Sequence, residues 1–205
     1  ERLYIDKNPV DDIHMLKEDE KFRDPLSASD LVRLRDYTMK YNPPFYLACM
    51  MEYYCFIRPD ELRSVKIGDI SITEQTVFVH PEYAKNRKGQ VVALNDKVLK
   101  IMIAQKVFDH PSNEFLFGHK LVPGPEKIYV NQFRVEWQKV RKALGFPKSY
   151  QFYSLKDSGI RDLANAEGIV VARDQARHSD VSVTNKYLKT PRCAHEETKH
   201  FKGEL

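Results

Sequence analysis

Residues 43–72 read PPFYLACMMEYYCFIRPDELRSVKIGDISI, and a change of period inside this stretch decides the fold. From Phe45 to Phe56 the side chains are almost continuously apolar, so a helix formed here buries nearly every face and marks the centre of the core. Asn42-Pro43-Pro44 breaks whatever precedes it. Pro59-Asp60-Glu61-Leu62 then opens a short helical turn, with proline tolerated in a first turn and acids favoured at the positive end of the helix dipole. Beyond it the spacing alternates. Residues 67–72, 76–80 and 91–94 read as three short strands, with Thr73-Glu74-Gln75 as one turn and residues 85–89 as the tip of the next.

Working outward, Pro25-Leu26-Ser27-Ala28-Ser29-Asp30 is a helix start in which Ser27 can cap and Asp30 stands three residues on, as in a capping box with Asp for Glu. Leu31, Leu34 and Tyr37 supply its apolar face. The opening segment, to about Asp24, mixes charges of both signs without a sustained period and reads as a linker. On the other side the pattern returns to helices over 96–108, 129–144, 154–167, 170–177 and 181–188, with prolines and glycines between them. The expected fold is mainly α with a small three-stranded antiparallel β-sheet.

Composition narrows the function classes. The chain has 205 residues, 42% apolar and 30% charged, enough apolar surface to offset chain entropy and exclude disorder. The most apolar run, residues 44–57, is interrupted by Glu52 and falls short of the roughly 20 residues that a spanning helix requires. Cys49, Cys55 and Cys193 form no paired framework and no metal-binding spacing; they read as buried or incidental thiols in a reducing compartment. A net charge of +4 permits nucleic-acid binding without arguing for it. No Gly-rich phosphate loop, His-Glu-x-x-His helix, nucleophile elbow or EF-hand loop occurs, so no metal or cofactor is expected.

What remains is a set of basic and hydrogen-bonding residues at element ends: Arg58, Lys85 with Arg87 and Lys88, Tyr153, Lys156, Arg177, His178 and Tyr187. Their chemistry suits a phosphodiester. Each also has a plain structural alternative. Arg58 can pair with Asp60 or Glu61, the Lys85 hairpin can be a solvated tip, and Tyr153 and Lys156 can share a local hydrogen bond. His178 and Tyr187 can be ordinary core or surface residues.

The order of these residues carries a resemblance. Cys55-Phe56-Ile57-Arg58-Pro59-Asp60-Glu61-Leu62, followed by Val65 and Asp69-Ile70, resembles the first catalytic box of the tyrosine recombinases, the phage-integrase family. The hairpin from Ala84-Lys85-Asn86-Arg87-Lys88-Gly89 to Leu94 is similar to that family's strand turn carrying a catalytic Lys. Tyr153-Ser154-Leu155-Lys156-Asp157-Ser158 lies where the family usually reads His-x-x-Arg-His-Thr. Ala176-Arg177-His178-Ser179-Asp180, followed by Thr184-Asn185-Lys186-Tyr187, is similar to its closing block, with the nucleophilic Tyr nine residues after the His. Together the matches run from about Pro25 to Lys189.

The resemblance implies site-specific cleavage and rejoining of double-stranded DNA without metal or cofactor. Tyr187 would be the nucleophile, Arg58 a phosphate clamp, Lys85 the acid for the departing 5′ oxygen, and His178 a phosphate contact or an aid to deprotonation of Tyr187. Tyr153 and Lys156 would fill the central block, and Arg87, Lys88 and Arg177 would contact DNA. Lys156 in place of Arg keeps charge but loses a bidentate fork, and Tyr153 in place of His loses ready proton exchange. A catalytically weakened DNA-binding module is the alternative these departures raise. The implied organisation is a linker over 1–24 from an upstream DNA clamp, a catalytic domain over 25–190, and a tail over 191–205 exchanged between protomers. Self-association into a synaptic oligomer on DNA, no membrane role, and a prokaryotic cytoplasmic setting at the nucleoid complete the expectation.

Overall fold

The computed structural model describes residues 23–83 and 89–188. The expected linker up to residue 22, the hairpin tip with Lys85, Arg87 and Lys88, and the tail over 191–205 lie outside the described residues. The described chain is mainly α-helical with one three-stranded antiparallel sheet, as its sequence predicts. Its elements in order are α1 (Ala28–Tyr41), α2 (Pro43–Cys55), α3 (Pro59–Leu62), β1 (Ile70–Ser71), β2 (Thr76–Val79), β3 (Gln90–Ala93), α4 (Asp96–Ala104), α5 (Gln132–Leu144), α6 (Ser154–Glu167), α7 (Ile169–Ala176) and α8 (Val181–Asn185).

Ser27 caps α1 as read, its hydroxyl accepting from the Asp30 amide at 3.1 Å. Asn42 both ends α1 and caps α2, accepting from the Phe45 amide at 3.2 Å, so one residue makes the corner that the following prolines enforce. Helix α2 runs through the middle of the core, with Phe45, Ala48, Met51 and Cys55 fully buried. Phe152 stacks between Phe45 and Phe133 at centroid distances of 5.6 and 5.2 Å and ties the start of α6 to α2 and α5. Gly159 sets the crossing of α2 and α6: a Cβ there would lie 1.9 Å from the Tyr53 carbonyl oxygen, so only glycine lets the backbones approach this closely. That approach brings the start of α6 beneath the end of α2, where the site forms.

The sheet order is β1-β2-β3, with Val77 opposite both Ile70 and Val92 and with Val79 opposite Gln90. The first expected strand is much shorter than 67–72. Residues Ile67–Asp69 turn as a 3-10 helix because Asp69 accepts from the Lys66 amide at 2.8 Å, and the Ile67 and Gly68 amides go to the carbonyls of Glu114 and Ser112. The helix expected over 96–108 ends at Ala104, since Lys106 takes a left-handed conformation before a separate 3-10 turn, Val107–Asp109. Among the described residues no helix is long and apolar enough to cross a membrane.

Candidate active site

Two sharp corners build the site. Helix α2 ends on Phe56, which is left-handed at φ 54° and costs on the order of 1 kcal/mol that a glycine would not. Its ring offsets that cost by filling a second small core with Ile160, Ala164, Ala172 and Ala176, the seam between α6 and α7. Tyr187 and Leu188 pack against the same cluster. The other corner is Arg177, left-handed at φ 58° where α7 stops.

Arg58 follows the first corner. Its Nη1 donates to Glu61 Oε1 at 3.0 Å and its own amide donates to Glu61 Oε2 at 3.0 Å, so Glu61 orients the guanidinium. Arg177 Nη2 also donates to Glu61 Oε2. One carboxylate, 1% exposed, thus holds two guanidinia from the two corners. Burial alone would raise the Glu61 carboxyl, but Arg177 and Arg58 hold it below the usual range, so it stays ionised.

Lys156, on the first turn of α6, is 0% exposed, and its Nζ donates to the Phe56 carbonyl at 2.7 Å. A lysine has three donors, so two remain for other partners. Burial, followed by the charges of Arg58 and Arg177, pushes its ammonium down to about 7, against the opposing pull of Glu52 and Glu61. Tyr153 stands one turn earlier, with the Lys156 Nζ 6.0 Å from its ring centroid. Burial raises the Tyr153 phenol while the nearby Arg58 charge opposes the rise.

The closing block folds onto these groups. Asp180 caps α8, accepting from the Ser182 amide at 2.6 Å, and the Tyr187 amide bonds the Thr184 carbonyl at 3.0 Å just past the end of α8. The helix expected over 181–188 therefore stops at Asn185, and Tyr187 sits in the turn beyond it. His178 Nδ1 lies 3.0 Å from the hydroxyl of buried Thr184, and its ring stacks on Tyr187 at 5.8 Å and 11°. Burial and the charges of Lys156, Arg58 and Arg177 lower His178 to about 4, which leaves it neutral at physiological pH. Burial, then Asp157 and Tyr153, push the Tyr187 phenol up to about 12.

Arg58, Tyr153, Lys156, Arg177, His178 and Tyr187 therefore gather into one neighbourhood from α3, α6, and the turns after α7 and α8. Arg58 pairs with Glu61, as one plain alternative had it, and belongs to the cluster as well. Lys156 bonds the Phe56 carbonyl rather than Tyr153. Arg177, 3% exposed and engaged by Glu61, is a support inside the site more than a surface group. Lys85, Arg87 and Lys88 lie outside the described residues. Three contributors were not among the candidate site residues. Glu61 is the shared anchor, Thr184 orients His178, and Glu52 is a fully buried acid on α2 whose oxygens find no hydrogen-bond partner among the described residues. Glu52 was visible as the one acid in an apolar helix, a signal that burial would require an electrostatic reason.

Comparison with known proteins points one way. The model of the phage integrase family matches residues 25–192. A tyrosine recombinase of Pseudothermotoga lettingae is 27% identical over 190 residues, covering 89% of this chain and 62% of that protein. The present chain thus spans less than two thirds of that relative's length. Among solved structures, XerA recombinase superposes with a TM-score of 0.69 at 19% identity, covering 88% of this chain and 66% of XerA. The Tn1549 transposon integrase in complex with transposon right end DNA superposes with a TM-score of 0.71 at 14% identity, covering 96% and 70%.

Proposed function

The chain belongs to the phage integrase family, and from that premise we propose that it cleaves and rejoins DNA strands at specific sites through a covalent phosphotyrosine on Tyr187. The observation that carries the reading is the gathering of Tyr187, His178, Lys156 and Arg58 around one small volume, with His178 stacked on Tyr187. The Tyr187 oxygen attacks the scissile phosphorus in line. The bond to the 5′ oxygen breaks, leaving a 3′-phosphotyrosine, and ligation is the same path reversed.

Arg58, oriented by Glu61, faces the non-bridging oxygens with a planar fork and stabilises the charge that grows on them. Lys156 adds a second cation with two free donors. A phenol held near 12 does not ionise at neutral pH, so it gives up its proton as the new bond forms. His178, neutral and hydrogen-bonded to Thr184, can accept or share that proton. Lys85 would protonate the departing 5′ oxygen. Arg87 and Lys88 would hold the flanking backbone, and Arg177 would act by fixing Glu61 and thereby Arg58.

Residues 25–190 would be the catalytic domain, following a linker from an upstream DNA clamp. Its partners would be double-stranded DNA and further copies of itself in a synaptic oligomer, at the nucleoid of a prokaryotic cytoplasm. The test is a nicked duplex that traps the cleaved state. Covalent protein–DNA complex should form with the wild type and disappear in Tyr187→Phe. An adduct that survives Tyr187→Phe overturns the assignment of the nucleophile. A wild type that binds duplex but never forms the adduct establishes instead the weakened binding module, the reading that the titration of Lys156 near 7 would favour.

A further inference from the structure

We propose that Arg23, from the segment ahead of α1, is a positioning residue of this site: it clamps the Tyr153 ring and screens the Asp157 carboxylate from Tyr187. The proposal rests on the reading of Tyr187 as the nucleophile. The segment is sewn onto α6 and the loop before it. The Asp24 amide donates to the Ser149 carbonyl at 3.3 Å, the Leu26 amide donates to Ser158 Oγ at 2.8 Å, and Arg161 Nη2 donates to the Leu26 carbonyl at 3.1 Å. Leu26 itself is 0% exposed, so the strap is anchored by a core residue. This seating places the Arg23 guanidinium 4.2 Å over the Tyr153 ring, with Nε 3.6 Å from Asp157 Oδ2.

The position has a chemical reason. Asp157 is a buried acid next to Lys156, and its charge opposes ionisation of both Tyr153 and Tyr187. Around Tyr187 stand Tyr153 and Asp157 from α6, His178 from the turn after α7, Arg58 from the start of α3, and Arg23 from the strap. Arg23 and Arg58 are the cations that ease loss of the phenolic proton. A guanidinium suits the place better than an ammonium, because its flat face stacks on the ring while its edge meets the carboxylate. Arg23 is half-exposed and lies outside the order of residues by which the site was read, so only the folded chain reveals it.

The test compares Arg23→Gln with Arg23→Lys in the full chain, each in the wild-type and Asp157→Asn backgrounds, using the rate of covalent adduct on a nicked duplex across pH. Arg23→Gln should slow adduct formation by ~3- to 10-fold near neutral pH and move the profile to higher pH, the size expected of a partly screened charge. Arg23→Lys should recover part of the rate. In the Asp157→Asn background, Arg23→Gln should cost clearly less than in the wild type, since only the direct effect of its charge on Tyr187 and its hold on the Tyr153 ring remain. Equal losses in both backgrounds, or an unchanged profile, overturn the proposal. A second readout does not depend on activity: a fluorinated tyrosine at position 187, followed by fluorine NMR, should ionise at higher pH in Arg23→Gln. If the wild type forms no adduct, the recombinase reading fails while this midpoint still decides the role of Arg23.

Discussion

Lys156 gives the sharpest prediction, because its titration falls near neutral pH. It is 0% exposed, and burial followed by the charges of Arg58 and Arg177 brings its ammonium to about 7, while His178 lies near 4 and Tyr187 near 12. A phosphodiester seated beside it adds a negative charge and raises its proton affinity. Binding then takes up a proton, so affinity is constant well below about 7 and falls as pH rises through that value, with a limiting slope of about tenfold per pH unit. The fall ends where Lys156 loses its proton in the complex. Fluorescence anisotropy with a short duplex at fixed ionic strength would read the slope, and calorimetry in two buffers would count the protons. Lys156→Arg should flatten the slope, since a guanidinium keeps its proton, at an overpacking cost of about 1–3 kcal/mol that a urea midpoint would report. Equal slopes in the two proteins, or a flat wild type, would refute the reasoning.

Two further substitutions probe the buried charges. Glu61→Ala strands Arg177 at 3% exposure and frees Arg58, so it should cost about 3–5 kcal/mol in urea unfolding; a loss below about 1 kcal/mol would show that the two guanidinia do not depend on this carboxylate. Glu52→Met should stabilise the fold by about 1–3 kcal/mol at neutral pH, because it removes two oxygens that have no hydrogen-bond partner among the described residues. The sign follows from its titration. Burial raises the folded value well above the ordinary carboxyl range, so the contribution of Glu52 is fully present below that range and is lost as pH rises through the folded value. The gain from Glu52→Met should therefore shrink in acid melts. A lower melting temperature at neutral pH would contradict it.

The parts of this fold legible in the sequence are those fixed by local chemistry. Ser27 and Asn42 announce their caps, and the unbroken apolar run of α2 announces the core, because each signal lies within a few residues of what it dictates. The short first strand was not legible, since the Ile67 and Gly68 amides are taken by the carbonyls of Glu114 and Ser112, far along the chain. The site divides in the same way. The order Arg58, Tyr153, Lys156, His178, Tyr187 is visible as a resemblance, but Glu61 as a shared anchor depends on Arg177 arriving from another helix end. Arg23 reaches Tyr153 only because Leu26 is buried and bonded to α6. Charged residues reveal their partners last, because sequence records which charges exist and not which burial they share.

A lysine rather than an arginine at position 156 has a physical logic. A guanidinium at a fully buried position is a permanent charge, and holding it there costs several kcal/mol unless a partner neutralises it. The available acid, Glu61, already serves Arg58 and Arg177, and Glu52 is itself pushed towards its neutral form by burial. A lysine eases the difficulty, since at about 7 it is only partly protonated in the empty pocket, and on the proposed function a bound phosphate would restore its proton. The pocket's charge then follows its occupancy. On the proposed function, binding energy from the phosphodiester would be spent partly on protonating Lys156, so ground-state affinity would be lower than a fixed arginine would give, while the charge would be in place when negative charge builds on the phosphate. On this view a lysine at this position trades affinity for a site that is stable when empty, and Lys156→Arg should bind DNA more tightly at alkaline pH without a matching gain in the rate of strand cleavage.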